Sequence, residues 1–425
     1  MDNFERRKVY NYTLKYLKSI ESNRIVFNDF CELFMIELEG KNIIPSNGKL
    51  ISSSKLPVVK KKLRKAIQTK LKELPSILTP FENKCNLISK IYGLDENEYE
   101  YLIYYVLKTI NPIAKYIANG CTDEFTSFGS FVLHLSNWII DSKRKSLLRK
   151  GILFKQGMNT GKLVLSNKIF EIFENPKIKT ETQIKNILLG KNQKSELCWK
   201  DFEHIEKERD IAFNILTSAV QSRTKGVNIL LYGSVGTGKT QLAKLLANRA
   251  KIDMYSVSAE FMDKEASRKD RLSDLASKQT ILAKTNNSCI LFDEADSFLQ
   301  NRNNAVRNWE VSQVNEMLTW MESHEYPFVC TTNLLDTLDE ASLRRFTFKI
   351  KFDFMTSEQT NFAMEHFFGI KNANLNVKGL TAGDFVTVKK KADFLCITDL
   401  CELSKMLEDE VKIKKSKELQ NCVGF

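Results

Sequence analysis

The chain has 425 residues, 43% of them hydrophobic, and a formal charge of +12. That length fits two or three domains with ordinary cores, and no apolar run approaches the roughly 18 residues of a membrane-spanning helix. Scattered cysteines without CxxC spacing, and histidines without ligand spacing, exclude a disulfide framework and a structural zinc site.

The polar start MDNFERRKVY lacks the pattern of a secretory signal, so a cytoplasmic protein with no membrane partner is expected. The charge is uneven: residues 1–200 carry +14 and residues 201–425 carry −2. Two readings of the basic half stand side by side. It contacts a polyanion such as nucleic acid, or its lysines are solvated faces of helices.

In chain order, LPVVKKKLRKAIQTKLKEL (56–74) spaces Leu56, Val59, Leu63, Ile67, Leu71 and Leu74 as one helical stripe backed by lysines. Pro57 suits the first turn. YEYLIYYVLKTI (99–110) and FGSFVLHLSNWII (128–140) read as buried helices. Over 142–173 a basic helix precedes two β-like runs, Ile152–Phe154 and Lys162–Leu165, an order that resembles a winged-helix module. Residues 176–197 are polar and contain Pro176, as a connection would.

From residue 198 the pattern changes to apolar runs alternating with helical stretches. VNILLY (227–232), DMYSVS (253–258), SCILFD (288–293), PFVCTT (327–332) and FTFKIKF (346–352) are candidate strands of a parallel sheet covered on both faces. A helix from Arg307 to Glu322 sets Val311, Val314, Met317, Leu318 and Met321 on one side.

Two motifs carry chemistry. The first, Gly233-Ser234-Val235-Gly236-Thr237-Gly238-Lys239-Thr240, fits GxxxxGK[ST] between a strand and a helix. Its glycines let backbone N–H groups face phosphates without Cβ clashes, and the helix start adds a favourable dipole. Lys239 is expected to reach the β- and γ-phosphates and the Thr240 hydroxyl to sit on Mg²⁺. The second, CILFDEADSF (289–298), delivers Asp293 to the Mg²⁺ shell from a strand end, with Glu294 placed to orient and deprotonate the attacking water.

With these motifs in order, residues 198–425 resemble an AAA+ ATPase of the AAA group proper. The fold expected is a P-loop αβα sheet with a helical lid, preceded by a mainly α-helical N-terminal domain. The resemblance implies ATP and Mg²⁺ as cofactors. It sets His204 and Ile205 of CWKDFEHIEK (198–207) near the adenine, and Asn333 of FVCTTN near the γ-phosphate. LDTLDEASLRRFTFKIKF (335–352) is similar to the arginine-finger region, so Arg344 and Arg345 would reach a neighbouring subunit's γ-phosphate. GLTAGDFVTVKKKADFL (379–395) resembles the lid helix, with a small residue at the second sensor position.

One departure concerns the pore. Where threading members carry an aromatic residue, this chain aligns Glu265-Ala266-Ser267, with Phe261 too early and Arg268, Lys269 and Arg271 following. An aromatic grips an extended peptide and a charged loop does not.

The expected organisation is a helical N-terminal domain (1–140), a winged-helix-like segment (141–175), a linker (176–197), an ATPase domain (198–355) and a lid (356–425). The expected function is Mg-dependent ATP hydrolysis by a homo-oligomer, a hexamer by resemblance, that remodels or switches a protein partner bound by the N-terminal half. The alternative is a nucleic-acid-binding protein that uses ATP as an assembly switch.

Overall fold

A computed structural model describes residues 1–19, 55–119, 137–156, 162–257, 264–285, 287–297, 299, 308–373 and 375–422. The chain divides into two compact units, Met1–Gly190 with Ala259–Ile281, and Lys191–Ser258 with Leu282–Phe425.

The first unit is mainly helical. It runs through α1 (Asn3–Ser19), α2 (Leu56–Glu73), α3 (Pro80–Tyr92), α4 (Glu96–Ile110), α5 (Pro112–Asn119) and α6 (Asn137–Arg149). Then come strands β1 (Leu153–Gln156) and β2 (Lys162–Leu165), and helices α7 (Asn167–Glu174) and α8 (Glu181–Leu189). Local chemistry sets the ends. Thr79 accepts the Glu82 amide ahead of Pro80, and Gly93 closes α3 in the left-handed region. Asp95 and Glu98 form a capping box at the start of α4. The expected stripe of α2 buries Leu56, Val59, Leu63 and Ile67. Strands β1 and β2 pair antiparallel from Leu153↔Leu165 to Gln156↔Lys162, giving the helix–strand–strand order read from sequence. Of the apolar stretch 128–140, residues 128–136 lie outside the described residues.

The segment 176–197 differs from the linker expected. Thr180 and Gln183 form a capping box, and α8 buries Ile184, Leu188 and Leu189. Its polar residues outnumber its apolar ones, yet three correctly spaced apolar side chains suffice to seat a short helix.

The second unit begins with α9 (Glu206–Ser222), β3 (Asn228–Gly233), α10 (Lys239–Arg249) and β4 (Asp253–Ser256). Helix α11 (Lys264–Leu282) follows in the chain, then β5 (Ser288–Phe292), α12 (Asn308–Ser323), β6 (Phe328–Thr332), α13 (Glu340–Arg344) and β7 (Phe348–Phe352). The lid helices are α14 (Ser357–Phe368), α15 (Ala382–Leu395) and α16 (Leu400–Cys422). The strands form one sheet in the order β4-β5-β6-β3-β7, and every pairing is parallel. Strands β5 and β6 are buried at each position, as continuous apolar runs covered on both faces must be. Leu231, Leu242, Leu246 and Val329 belong to one core; Met364, Phe385 and Leu407 belong to a separate lid core. On α12, Val314, Met317, Leu318 and Met321 are buried, whereas the side chain of Val311 lies outside the description.

Helix α11 changes the expected boundary of the ATPase domain. Its residues up to Ile281 belong to the first unit. The Tyr92 hydroxyl meets Ser277 Oγ at 2.5 Å, and Ser273 Oγ donates to the Gly151 carbonyl at 3.1 Å. Gly151 has φ +68°, and a Cβ there would lie 2.2 Å from the Ser273 carbonyl oxygen, so only glycine permits the approach. Asp274 accepts from Lys168 at 2.7 Å and from Lys278 at 2.6 Å. The stretch read as a charged loop around Glu265-Ala266-Ser267 is already helical from Lys264, and Phe261 lies outside the described residues.

Candidate nucleotide site

Strand β3 ends at Gly233 and α10 begins at Lys239, so residues 233–238 form a loop between a strand tip and a helix start. Gly233, Gly236 and Gly238 all have positive φ, at 134°, 80° and 94°. A Cβ on Gly233 would lie 2.1 Å from the Phe352 carbonyl oxygen, which closes that position to other residues. Gly238 serves as the N-cap of α10 and brings backbone amides to the helix start without a side chain in front. Ser234, Val235 and Thr237 complete the loop, and the Thr237 hydroxyl donates to the Ser234 carbonyl at 2.8 Å.

Lys239 is buried, with Nζ donating to the carbonyls of Gly233 at 2.8 Å and Ser234 at 2.7 Å. Burial pulls its pKa down to about 8 against the opposing pull of Asp293 and Asp296. The Thr240 hydroxyl donates to Asp293 Oδ1 at 3.0 Å. These two oxygen-bearing side chains, from the start of α10 and the end of β5, are the donor set a hard divalent cation takes. Among the described residues no cluster of three or more His, Cys, Asp or Glu side chains has the arrangement of a protein-only metal cage.

Strand β6 organises the acids, a role the sequence reading missed. The Thr331 hydroxyl donates to Asp293 Oδ1 and accepts the Glu294 amide at 3.1 Å. The Thr332 hydroxyl donates to Asp296 Oδ1 at 3.0 Å and accepts the Leu334 amide at 3.1 Å. Both threonines are buried, and Asn333 stands half-buried directly after them. Glu294 adopts φ +54°, a left-handed conformation uncommon for a side chain of its kind. The signal for this wiring was in view: two hydroxyls closing an apolar strand, where hydrogen-bonded partners are required.

A cleft of ≈ 290 Å³ is lined by His204, Thr237, Gly238, Phe362, Thr381 and Ala382, among others. His204 therefore lies on the cleft wall, its pKa lowered by burial, while Ile205 packs against the sheet core instead. Phe202, also in the wall, is buried against Gly238, with ring atoms 3.4 Å from where a Gly238 Cβ would stand. The segment is fixed by Trp199, whose ring meets the guanidinium groups of Arg209 at 4.3 Å and Arg249 at 4.4 Å.

The arginine pair divides. Arg344 ends α13 with an exposed side chain. Arg345 is tied down: Nη1 donates to the Ala341 carbonyl at 2.7 Å and Nη2 meets Glu322 Oε1 at 2.7 Å. The Arg345 carbonyl accepts from the buried Asn228 carboxamide at 2.9 Å, and Asn228 Oδ1 is bonded to His324 Nε2 at 2.9 Å.

Residues 229–354 match the family model of the ATPase family associated with various cellular activities (AAA). Residues 229–354 carry an AAA module. A protein of Methanothermobacter thermautotrophicus named as a 26S proteasome regulatory subunit homologue is 33% identical, over 33% of this chain and 39% of its own length. The mouse nuclear valosin-containing protein-like is 32% identical over 35% of this chain and 19% of its own. The ATP-dependent zinc metalloprotease FtsH 3 of Phytoplasma mali is 34% identical over 44% of this chain and 34% of its own. The matched stretch spans well under half of each relative, so the likeness concerns the AAA+ module.

Proposed function

We propose that this chain is a Mg-dependent ATPase whose site is completed by a neighbouring copy, and that turnover drives a change in a protein partner held by the first unit. The observation that carries the reading is the Thr240–Asp293 contact at 3.0 Å with Glu294 one residue on. Thr240 and Asp293 would hold Mg²⁺, and bound Mg²⁺ neutralises phosphate charge.

The chain's own groups have separable tasks. The glycine-built loop presents amides to the β- and γ-phosphates. Lys239 exchanges two carbonyl acceptors for phosphate oxygens. Thr331 fixes the Asp293 carboxylate and, through the Glu294 amide, the backbone that aims Glu294 at the attacking water. Asn333 would hold that water beside it. His204 and Phe202 belong to the adenine side of the cleft. Arg344, exposed, is the residue we assign as the finger reaching a neighbouring subunit, whereas the ties of Arg345 make it the brace of that segment.

A homo-oligomer, a hexamer in keeping with the resemblance, follows from that shared site. The partner is assigned to the first unit because no aromatic residue occupies 265–267, where threading members need one. The names of the relatives, a proteasome regulatory homologue and a metalloprotease, fit a protein partner.

Nucleic acid is the second reading, supported by Lys61, Lys62, Lys65 and Lys72, all exposed on α2. Against it, four of the five cations over 143–150, beside the β1–β2 hairpin, already face carboxylates. Lys143 pairs with Asp95, Arg144 and Lys145 with Asp141, and Lys150 with Glu98. DNA binding by the full chain across a salt series decides between them; a steep fall in affinity with salt favours nucleic acid.

The first reading is tested by phosphate release from ATP with and without EDTA, in wild type and Glu294→Gln. Turnover that needs Mg²⁺ and is lost in Glu294→Gln, with nucleotide still bound, supports it. Turnover indifferent to both removes it.

A further inference from the structure

The lid meets the phosphate loop through backbone. Gly383, in the first turn of α15, donates its amide to the Gly236 carbonyl at 2.8 Å. A Cβ on Gly383 would come 3.0 Å from Gly236 Cα, and a Cβ on Gly236 would come 2.9 Å from Thr381 Oγ1. Neither partner can back away while that hydrogen bond holds, so the start of α15 is seated directly on the loop.

Immediately behind this seat lies a carboxylate. Asp384, 4% exposed, accepts from the Thr381 amide at 2.8 Å and the Thr381 hydroxyl at 3.0 Å. As a capping box this stabilises the helix start. As electrostatics it sets a buried negative charge beside the loop that must hold phosphates. A third element removes the conflict. From the C-terminal helix α16, Lys414 Nζ donates to Asp384 Oδ2 at 2.6 Å and to Thr381 Oγ1 at 2.8 Å.

We propose that Lys414 is a positioning residue of the nucleotide site. By neutralising Asp384 it lets the lid sit on the phosphate loop without repelling the phosphates, and it brings α16 into nucleotide binding. The inference rests on the nucleotide reading above. It assigns the charge balance of the lid to a residue some thirty positions beyond the lid's own seat. A plain tether between α15 and α16 would hold the lid together but would be indifferent to the sign of the charge at 384.

The test uses the full chain and fluorescent mant-ADP, with steady-state turnover of ATP. Lys414→Met is expected to weaken mant-ADP binding by roughly tenfold or more, since a buried carboxylate is left unpaired near the ligand's charge. Its kcat at saturating ATP is expected near wild type, so the loss falls on KM. Lys414→Arg is expected to restore binding. Asp384→Asn is expected to bind as tightly as wild type or tighter, and Lys414→Met/Asp384→Asn to recover most of the affinity. Binding by Lys414→Met equal to wild type overturns the proposal, as does a double variant as weak as Lys414→Met. If Lys414→Met does not fold, the double variant carries the decision: near-wild-type affinity supports the charge role and loss of affinity refutes it. A wild-type chain that binds no mant-ADP removes the nucleotide reading and this inference together, and Lys239→Ala as the binding-dead reference separates the two failures.

Discussion

Two buried lysines, one in each unit, share a titration and differ in task. Lys239 in the second unit and Lys278 in the first are both pulled down to about 8 by burial. Lys278 rests on the carboxylate of Asp274, which Lys168 also contacts, so its charge is already answered inside the fold. Lys239 rests on the neutral carbonyls of Gly233 and Ser234. A cation held by dipoles can be drawn to a stronger anion, and one held by a carboxylate cannot without leaving that carboxylate unpaired. The same contrast separates the units. Many cations of the basic first unit face carboxylates of that unit, so its number of lysines and arginines overstates what it can offer a polyanion.

The sharpest break of this comparison is to remove each lysine. Lys239→Ala is expected to reduce ATP affinity at least about 100-fold with little change in thermal stability. Lys278→Met is expected to do the reverse: with Lys168 still facing Asp274, about 1–3 kcal/mol of stability lost, with ATP affinity in the wild-type range. Equal losses of ATP affinity in the two variants, by titration calorimetry, would erase the distinction.

The arginine pair offers the next largest contrast. Arg344→Ala is expected to lower kcat by about 10³ while leaving the melting temperature unchanged, as loss of a finger does. Arg345→Ala is expected to lower the melting temperature through the freed Glu322 and the loosened α13, with its effect on turnover following stability. Turnover assays beside thermal melts tell these apart, and an unchanged kcat in Arg344→Ala would move the finger elsewhere.

Titration gives a smaller effect. Because Lys239 titrates near 8 in the free protein and phosphate favours its charged form, binding above pH 8 must take up a proton. ATP affinity is expected to weaken as pH rises from 8 to 9, approaching tenfold per unit, and to flatten in Lys239→Arg. His324 moves the other way. Burial holds its pKa at about 4, below the ordinary 6.5, so the fold favours the neutral ring. Its contribution is fully present above pH 6.5 and is lost as pH falls toward 4, about 2 kcal/mol by pH 5. Melting temperatures at pH 7 and 5 check it, with His324→Gln expected to shrink the difference.

What the sequence disclosed, and what it hid, follow from the range of the interactions. The glycine loop between β3 and α10 was legible because the constraint is local: three glycines, a lysine and a hydroxyl at fixed spacing between a strand and a helix. The inner strands β3, β5 and β6 were legible because burial makes each a near-continuous apolar run, and the edge strand β7 because Ile350 and Phe352 alternate with exposed lysines. The fate of α11 was not legible. Asp274 and Lys278 sit four apart, a spacing that any exposed helical ion pair shares. Their burial depends on Lys168 and on the hydrogen of Gly151 admitting the helix backbone, contacts more than a hundred residues distant. The unequal ties of Arg344 and Arg345 were hidden for the same reason, since Glu322 and Asn228 that hold the second are remote in sequence. The threonines of β6 lay in view but carry meaning only once β5 is beside them.

The central claim, an ATP site completed by Arg344 of a second copy, is tested most directly by subunit mixing. Glu294→Gln subunits keep their arginine and lose the carboxylate assigned to the attacking water; Arg344→Ala subunits do the opposite. Each alone is expected to be inactive. Mixed in equal amounts, they are expected to recover ATP turnover, because an intact Glu294 in one copy meets an intact Arg344 from the other. A mixture no more active than the sum of its parts, in assemblies shown to contain both subunits, would contradict the shared site.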